Sequence, residues 1–245
     1  LTGIAAGLFV ASAGHITMAV VMIVLRVSAP GDRARSPVND LIDGISYIVG
    51  NPIVLFIILM SFIYALFGWS FIALMPVFAS DILEVSEELQ GMLLGASGIG
   101  ATIVTVGLAM TNGSLVRQRG RMVIGGAAAS GLLLAGFALS SEYIGSYALA
   151  WVLMLGLGFT QTLYTTSAMG SLQLSIPDEI RGRVLGVYAI MWGIIPLSGT
   201  QAAFLAEFVG VPFAVAIGGC VIMAFALGPA LLNQKLRTLR VDPDS

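Results

Sequence analysis

Long apolar runs, separated by short connections that carry nearly all the charge, constrain this chain more than any other feature. A helix needs roughly 20 mostly apolar residues to cross about 30 Å of hydrocarbon. Seven stretches meet that requirement: 1–27, 52–79, 91–112, 122–140, 145–171, 184–206 and 211–233. Inside lipid the backbone N–H and C=O groups must be satisfied within the segment, so each stretch is expected to be a helix. A membrane barrel needs short segments of alternating apolar and polar residues, and none is visible. Composition agrees, with 58% hydrophobic and only 10% charged residues and a mean hydropathy of +0.98. Soluble domains carry about 25% charge. The expectation is therefore an all-α membrane protein whose main partner is the lipid bilayer.

Charge placement orients the crossings. One set of connections holds residues 28–51, 113–121, 172–183 and the tail 234–245, and with Arg26 it accounts for all eleven basic residues. The other set, 80–90, 141–144 and 207–210, holds Asp81, Glu84, Glu87, Glu88, Glu142 and Glu207 without one Lys or Arg. Basic residues accumulate on the cytoplasmic face of membrane proteins. The first set and the C-terminus are thus expected in the cytoplasm. A helix more or fewer would scramble the sorting. A net charge of −2 offers no basic face for nucleic acid.

Residues 28–37 read as a flexible linker. Beyond them Val38, Leu41, Ile42, Ile45 and Ile48 fall at helical spacing, with Asn39, Asp40 and Asp43 opposite, which predicts an amphipathic helix on the membrane surface. A linker and surface helix between membrane helices mark a boundary between two bundles. The chain opens at Leu1 inside an apolar run, with no signal-peptide pattern. The reading is a fragment: 1–27 as the last helix of a first bundle, 28–51 as the cytoplasmic connection, 52–233 as a six-helix bundle and 234–245 as a tail.

Two cytoplasmic connections carry motifs. The segment Gly113-Ser-Leu115-Val-Arg117-Gln118-Arg119-Gly120-Arg121-Met122 resembles the Gly-x-Leu-x-Asp-Arg-x-Gly-Arg-Arg signature of the major facilitator superfamily. Gly113, Leu115, Gly120 and Arg121 match, while Arg117 stands where the family has Asp. Physically, such a loop combines a tight Gly turn with Arg forks that grip carboxylates or helix C-termini. The segment Pro177-Asp178-Glu179-Ile-Arg181-Gly182-Arg183 is similar to one in the bacterial drug- and siderophore-exporter branch of that superfamily. There Pro177 suits the first turn of a short helix. Asp178 and Glu179 lie at its positive end, and a structural cap with ion pairs inside the loop is the direct role expected. The resemblance implies the C-terminal six-helix half of a carrier plus one preceding helix, in the bacterial inner membrane. It further implies proton-coupled efflux of a small drug-like molecule or siderophore, completed by an N-terminal half of the same transporter. Gly113, Arg117, Gly120, Arg121, Asp178, Glu179, Arg181 and Arg183 are the candidate gating residues.

Within the membrane, polar groups are densest along Thr160-Gln161-Thr162-Leu-Tyr164-Thr165-Thr166-Ser167, where Gln161, Tyr164 and Thr165 share one helix face. The family resemblance implies that this helix lines the central cavity. It adds Tyr64, Trp69 and Ser70 from one neighbour and Tyr188, Trp192 and Gln201 from another. Amides, hydroxyls and aromatic rings suit an amphipathic organic solute, although the same residues also serve as packing glue between membrane helices. Gly91-x-x-x-Gly95 is a small-residue contact motif, and Pro76 and Pro196 are candidate kinks. No Asp, Glu, Lys or Arg stands at the centre of a stretch, so a coupling carboxylate is expected outside this sequence. The only lysine, Lys235, lies past the last stretch, which disfavours a retinal protein. No nucleophile–base pair or metal cluster supports catalysis, one Cys and one His (His15) make no metal site, and no cofactor is expected. The alternative to a transporter is a carrier fold retained as a non-transporting sensor or scaffold.

Overall fold

The computed structural model describes residues 12–13, 16–21, 37–110 and 119–232. The chain divides into two units, Leu1–Ser36 and Pro37–Ser245. In the first, residues 16–21 are helical and exposed, and Thr17 Oγ1 donates to the Ala13 carbonyl at 2.8 Å. The rest of the expected 1–27 helix, with His15, the 28–36 linker and the tail from 233 on, lies outside the described residues.

The second unit is built of α1 (Pro37–Gly50), α2 (Pro52–Phe67), α3 (Ser70–Val77), α4 (Glu87–Met110), α5 (Arg119–Tyr143), α6 (Tyr147–Ser175), α7 (Asp178–Trp192), α8 (Ile195–Val209) and α9 (Val211–Leu232). A π-helical turn, Phe78–Ile82, extends α3. Among the described residues six helical runs are long and apolar enough to cross a membrane: Pro52–Ile82, Glu87–Met110, Gly120–Tyr143, Tyr147–Ser175, Asp178–Val209 and Val211–Gly228. The fold is an all-α membrane bundle.

Local chemistry explains where these helices start and stop. Asn51 caps α2, its Oδ1 accepting from the N–H groups of Ile53 (3.1 Å) and Val54 (3.2 Å), with Pro52 in the first turn where its missing N–H is harmless. Ser146 caps α6 through the Leu149 N–H. The turns before α6 and α9 place Gly145 at φ +61° and Gly210 at φ +87°, a region in which a side chain is strained.

Lipid is as apolar as leucine, so packing must come from close fit rather than from expulsion of water. The helices α4, α6, α5 and α9 lie side by side in that order, joined by glycines. A Cβ on Gly158 of α6 would run into the Ser97 carbonyl of α4, and one on Gly100 into the Leu155 carbonyl. Gly131 of α5 and Gly219 of α9 meet each other's carbonyls in the same way. Among the described residues the Gly91-x-x-x-Gly95 contact is not made. Gly91, Gly95 and Gly98 face open space because α4 turns its Leu93, Ala96, Gly100 and Val104 stripe to the bundle.

Two long-range bonds show which ends lie together. Tyr47 donates to the Ser175 carbonyl at 3.1 Å, and Tyr147 donates to the Leu89 carbonyl at 3.0 Å. Each pairs segments from one side of the charge sorting.

Candidate functional site: a cleft between two broken helices

Two of the six crossings are interrupted near their midpoints. The 31-residue run Pro52–Ile82 breaks at Gly68–Trp69, and the 32-residue run Asp178–Val209 breaks at Gly193–Ile194. The first break does not lie at a proline, whereas the second follows from one, as the sequence suggested: Pro196 has no N–H for the Trp192 carbonyl four residues back, and α7 ends at Trp192. Pro76 sits inside α3 ahead of the π-turn, and Pro196 occupies the first turn of α8 after its break. Glycine explains the first interruption, because a Cβ on Gly68 would stand 2.6 Å from the Tyr64 ring. Removing that Cβ lets the ring lie along its own helix.

A break in lipid frees carbonyls that must find donors. Gln201 of α8 reaches across and gives its Nε2–H to the Leu66 carbonyl at 3.3 Å, and Ser70 Oγ serves the Phe67 carbonyl at 2.7 Å. At the second break, the Gly193 and Ile194 N–H groups tighten onto the Ile190 and Met191 carbonyls (2.9 and 3.1 Å). The two broken helices are thus tied by a side chain of one satisfying the backbone of the other.

A cleft opens between them and α6. Its lining is Ser61, Tyr64, Ala65, Trp69, Tyr164, Thr165, Tyr188, Met191, Trp192 and Ile195, around a cavity of ≈ 30 Å³. Tyr64 and Tyr164 stack with centroids 4.6 Å apart and form the buried floor. Trp69 and Trp192, one at each break, form the rim at 6.3 Å and 56° to each other, with Trp192 51% exposed. Six of the residues singled out by sequence, Tyr64, Trp69, Tyr164, Thr165, Tyr188 and Trp192, therefore lie together. Gln161 does not join them. It is buried one turn away on α6, and its Nε2 has no hydrogen-bond partner. Ser61, Ala65, Met191 and Ile195 were missed, although Ser61 is a hydroxyl in an apolar stretch and stands at i−3 from Tyr64.

Ser61 organises the protons of the floor. Its Oγ donates to the Ile57 carbonyl at 2.8 Å and lies 3.1 Å from the Tyr164 hydroxyl. With its single proton committed to Ile57, Ser61 receives from Tyr164. The Tyr164 oxygen then keeps a lone pair for the cleft. Its floor accepts hydrogen bonds, and its rim offers aromatic faces.

At the 175–183 end of the bundle the candidate gating residues separate. Arg181 pairs with Asp178 at 2.5 Å and donates to the Ile176 carbonyl, a contact inside the loop as expected. Arg183 leaves the loop. Its Nε pairs with Asp40 at 2.8 Å, and its Nη1 with Asp43 at 2.9 Å, both on α1. Pro177 precedes α7 as its cap residue, and no separate short helix forms, because the helix starting at Asp178 runs straight into the crossing. Glu179 and Arg121 are exposed and Gly120 is buried at the start of α5, while Gly113 and Arg117 lie outside the described residues.

The model of the Major Facilitator Superfamily matches residues 2–200. The chain belongs to this superfamily. No curated protein matches it, and no solved structure does. Superfamily membership and six apolar crossings make it a multi-pass membrane protein of a transporter family. In membrane carriers generally, interrupted helices mark the solute site near the midplane, and both breaks here fall near the middle of their apolar runs.

Proposed function

We propose that residues 52–233 form the second half of a secondary carrier that exports a small amphipathic organic molecule by alternating access, with 1–27 the last helix of the first half. The cleft between the broken helices carries this reading. Small-molecule sites enclose about 300–1,000 Å³, so a cavity of ≈ 30 Å³ supplies one wall of such a site. A facing bundle supplies the other. The floor suits a solute that donates hydrogen bonds, and the Trp69–Trp192 rim suits an aromatic or cationic group above it.

Proton coupling, export and a drug-like or siderophore cargo are supported by the likeness of Pro177–Arg183 to the exporter branch. Placement in a bacterial inner membrane with a cytoplasmic C-terminus rests on the basic residues gathered at one set of ends. No Asp, Glu, Lys or Arg stands mid-helix among the described residues, so the coupling carboxylate is assigned to the facing bundle. Arg121, Asp178, Glu179, Arg181 and Arg183 are assigned to gating at the cytoplasmic end, together with Gly113, Arg117 and Gly120 of the 113–121 segment.

The test is uptake of a fluorescent aromatic amine into proteoliposomes under an imposed pH gradient. Vesicles holding the chain with its facing bundle should accumulate the amine, and vesicles holding residues 1–245 alone should not. Saturable binding without flux by the two-bundle protein would replace the transporter reading with the sensor or scaffold. Accumulation by residues 1–245 alone would refute the two-wall site.

A further inference from the structure

The helix α1 has two stripes, and the structure uses only one of them against protein. Asp40, Asp43, Gly44 and Tyr47 recur every three or four residues and face the bundle. The two carboxylates hold Arg183 from α7, and Tyr47 donates to the Ser175 carbonyl. A Cβ on Gly44 would stand 3.1 Å from the Arg183 carbonyl, so this glycine lets the α1 backbone sit directly on the start of α7. Ile48 is buried at the end of the same face.

The opposite stripe is apolar and left uncovered by the described residues. Val38, Leu41, Ile42, Ile45 and Val49 follow one another at helical spacing and are 62%, 39%, 57%, 46% and 65% exposed. A water-facing helix would carry its charges outward, and this one carries them inward. The position of α1 identifies what covers the stripe. Only Asn51 separates α1 from Pro52, the first residue of a crossing helix, so α1 cannot rise from the level at which that crossing leaves the hydrocarbon. Its two acids sit on the inward face around the Arg183 guanidinium, and the outward stripe holds no ionisable residue.

We infer that α1 is a strap seated in the headgroup–acyl boundary of the bilayer by its Val38–Val49 face and clamped to the start of α7 by Arg183. An interfacial helix of this kind buries its apolar side about 5–10 Å into the boundary. Because α7 continues into Tyr188, Met191 and Trp192 of the cleft, a movement of α1 with the lipid surface is passed directly to the cleft wall. The apolar face carries no cation to attract anionic lipid, so the seating is indifferent to headgroup charge. The inference concerns lipid contact and holds whatever solute is carried.

The experiment uses the full-length carrier with Cys220→Ser and single cysteines at Ile42→Cys, Ile45→Cys or, as an exposed control, Glu179→Cys. Each is labelled with an environment-sensitive fluorophore and reconstituted into phosphatidylcholine vesicles with or without nitroxide-bearing lipid. Probes at 42 and 45 should be blue-shifted and at least twofold more quenched by the nitroxide lipid than the probe at 179, unchanged by adding phosphatidylglycerol. A water-like spectrum at 42 and 45 overturns the inference. A blue shift without lipid quenching overturns it too, because another protein surface then covers the stripe. In the labelled Ile42→Cys protein, Arg183→Glu should lower the quenching at least twofold, and adding Asp40→Lys and Asp43→Lys should restore it. Quenching indifferent to both changes removes the clamp.

Discussion

The two halves of the crossing bundle are built on opposite plans. The helices α4, α5, α6 and α9 are unbroken and locked by glycines that bring backbones together without a spare ångström. The crossings Pro52–Ile82 and Asp178–Val209 are each split in two, and besides the close approach of Gly199 to Ala73, side chains serve the carbonyls freed at the first split and backbone N–H groups those at the second. The first plan resists any change of shape, because a close-packed contact has no slack. The second leaves hydrogen bonds that can be exchanged, and it surrounds the only cluster of stacked tyrosines and tryptophans among the described residues. Rigidity and adaptability are thus assigned to different helices of one small bundle.

This contrast can be broken most severely at a seam. Gly158→Val forces atoms into the Ser97 backbone and should cost about 3 kcal/mol or more, read as a large fall in unfolding temperature in detergent. The matched change at an open position, Gly95→Val, should stay within about 0.5 kcal/mol. Equal effects at both positions would mean that the seam is not what holds α4 to α6. Next comes the cleft floor. Tyr164→Phe removes the hydroxyl bond to Ser61 and should cost about 1 kcal/mol of stability, with a several-fold loss of affinity for an amine-bearing solute. The bridge between the broken helices is worth less. Gln201→Leu leaves the Leu66 carbonyl without its donor and should cost about 0.6 kcal/mol, the average for such bonds in membranes, while slowing transport more than it weakens binding. Smallest in stability is Trp192→Ala, which should shift the unfolding midpoint by no more than about 0.5 kcal/mol. Its effect belongs to solute binding, read as a raised dissociation constant.

The sequence exposes the plan of the bundle more readily than its joints. Crossings are legible because lipid demands about 20 apolar residues in a row, and every described crossing overlaps the stretch expected for it. The polar face of α6 was legible because hydroxyls and an amide crowd it and Tyr164 and Thr165 share one side, whereas Tyr64 and Tyr188 were brought in by the family resemblance rather than by any local pattern. The first break was hidden, since Gly68 looks like any other glycine and Pro76 lies eight residues past it, whereas Pro196, four residues beyond the end of α7, marked the second. Which glycines pack was hidden too. Gly95 and Gly100 differ only in the face of α4 they occupy, and that face is chosen by residues of α6. Arg183 presented the same limit, because its partners Asp40 and Asp43 stand some 140 residues away in the chain and no local spacing joins them. Gln161 shares a face with Tyr164, yet the depth of burial along that face is set by neighbouring helices rather than by its own.

The central claim, that solute binds in the cleft between the broken helices, can be tested with the protein's own fluorescence. The chain has three tryptophans. Trp69 and Trp192 form the rim, and Trp151 lies near the start of α6 outside the cleft. In Trp151→Phe, titration with an aromatic amine should quench the remaining emission saturably, and Tyr164→Phe should shift that curve to higher concentration. Saturable quenching confined to Trp151, seen undiminished in a Trp69→Phe, Trp192→Phe protein and absent from Trp151→Phe, would contradict the account.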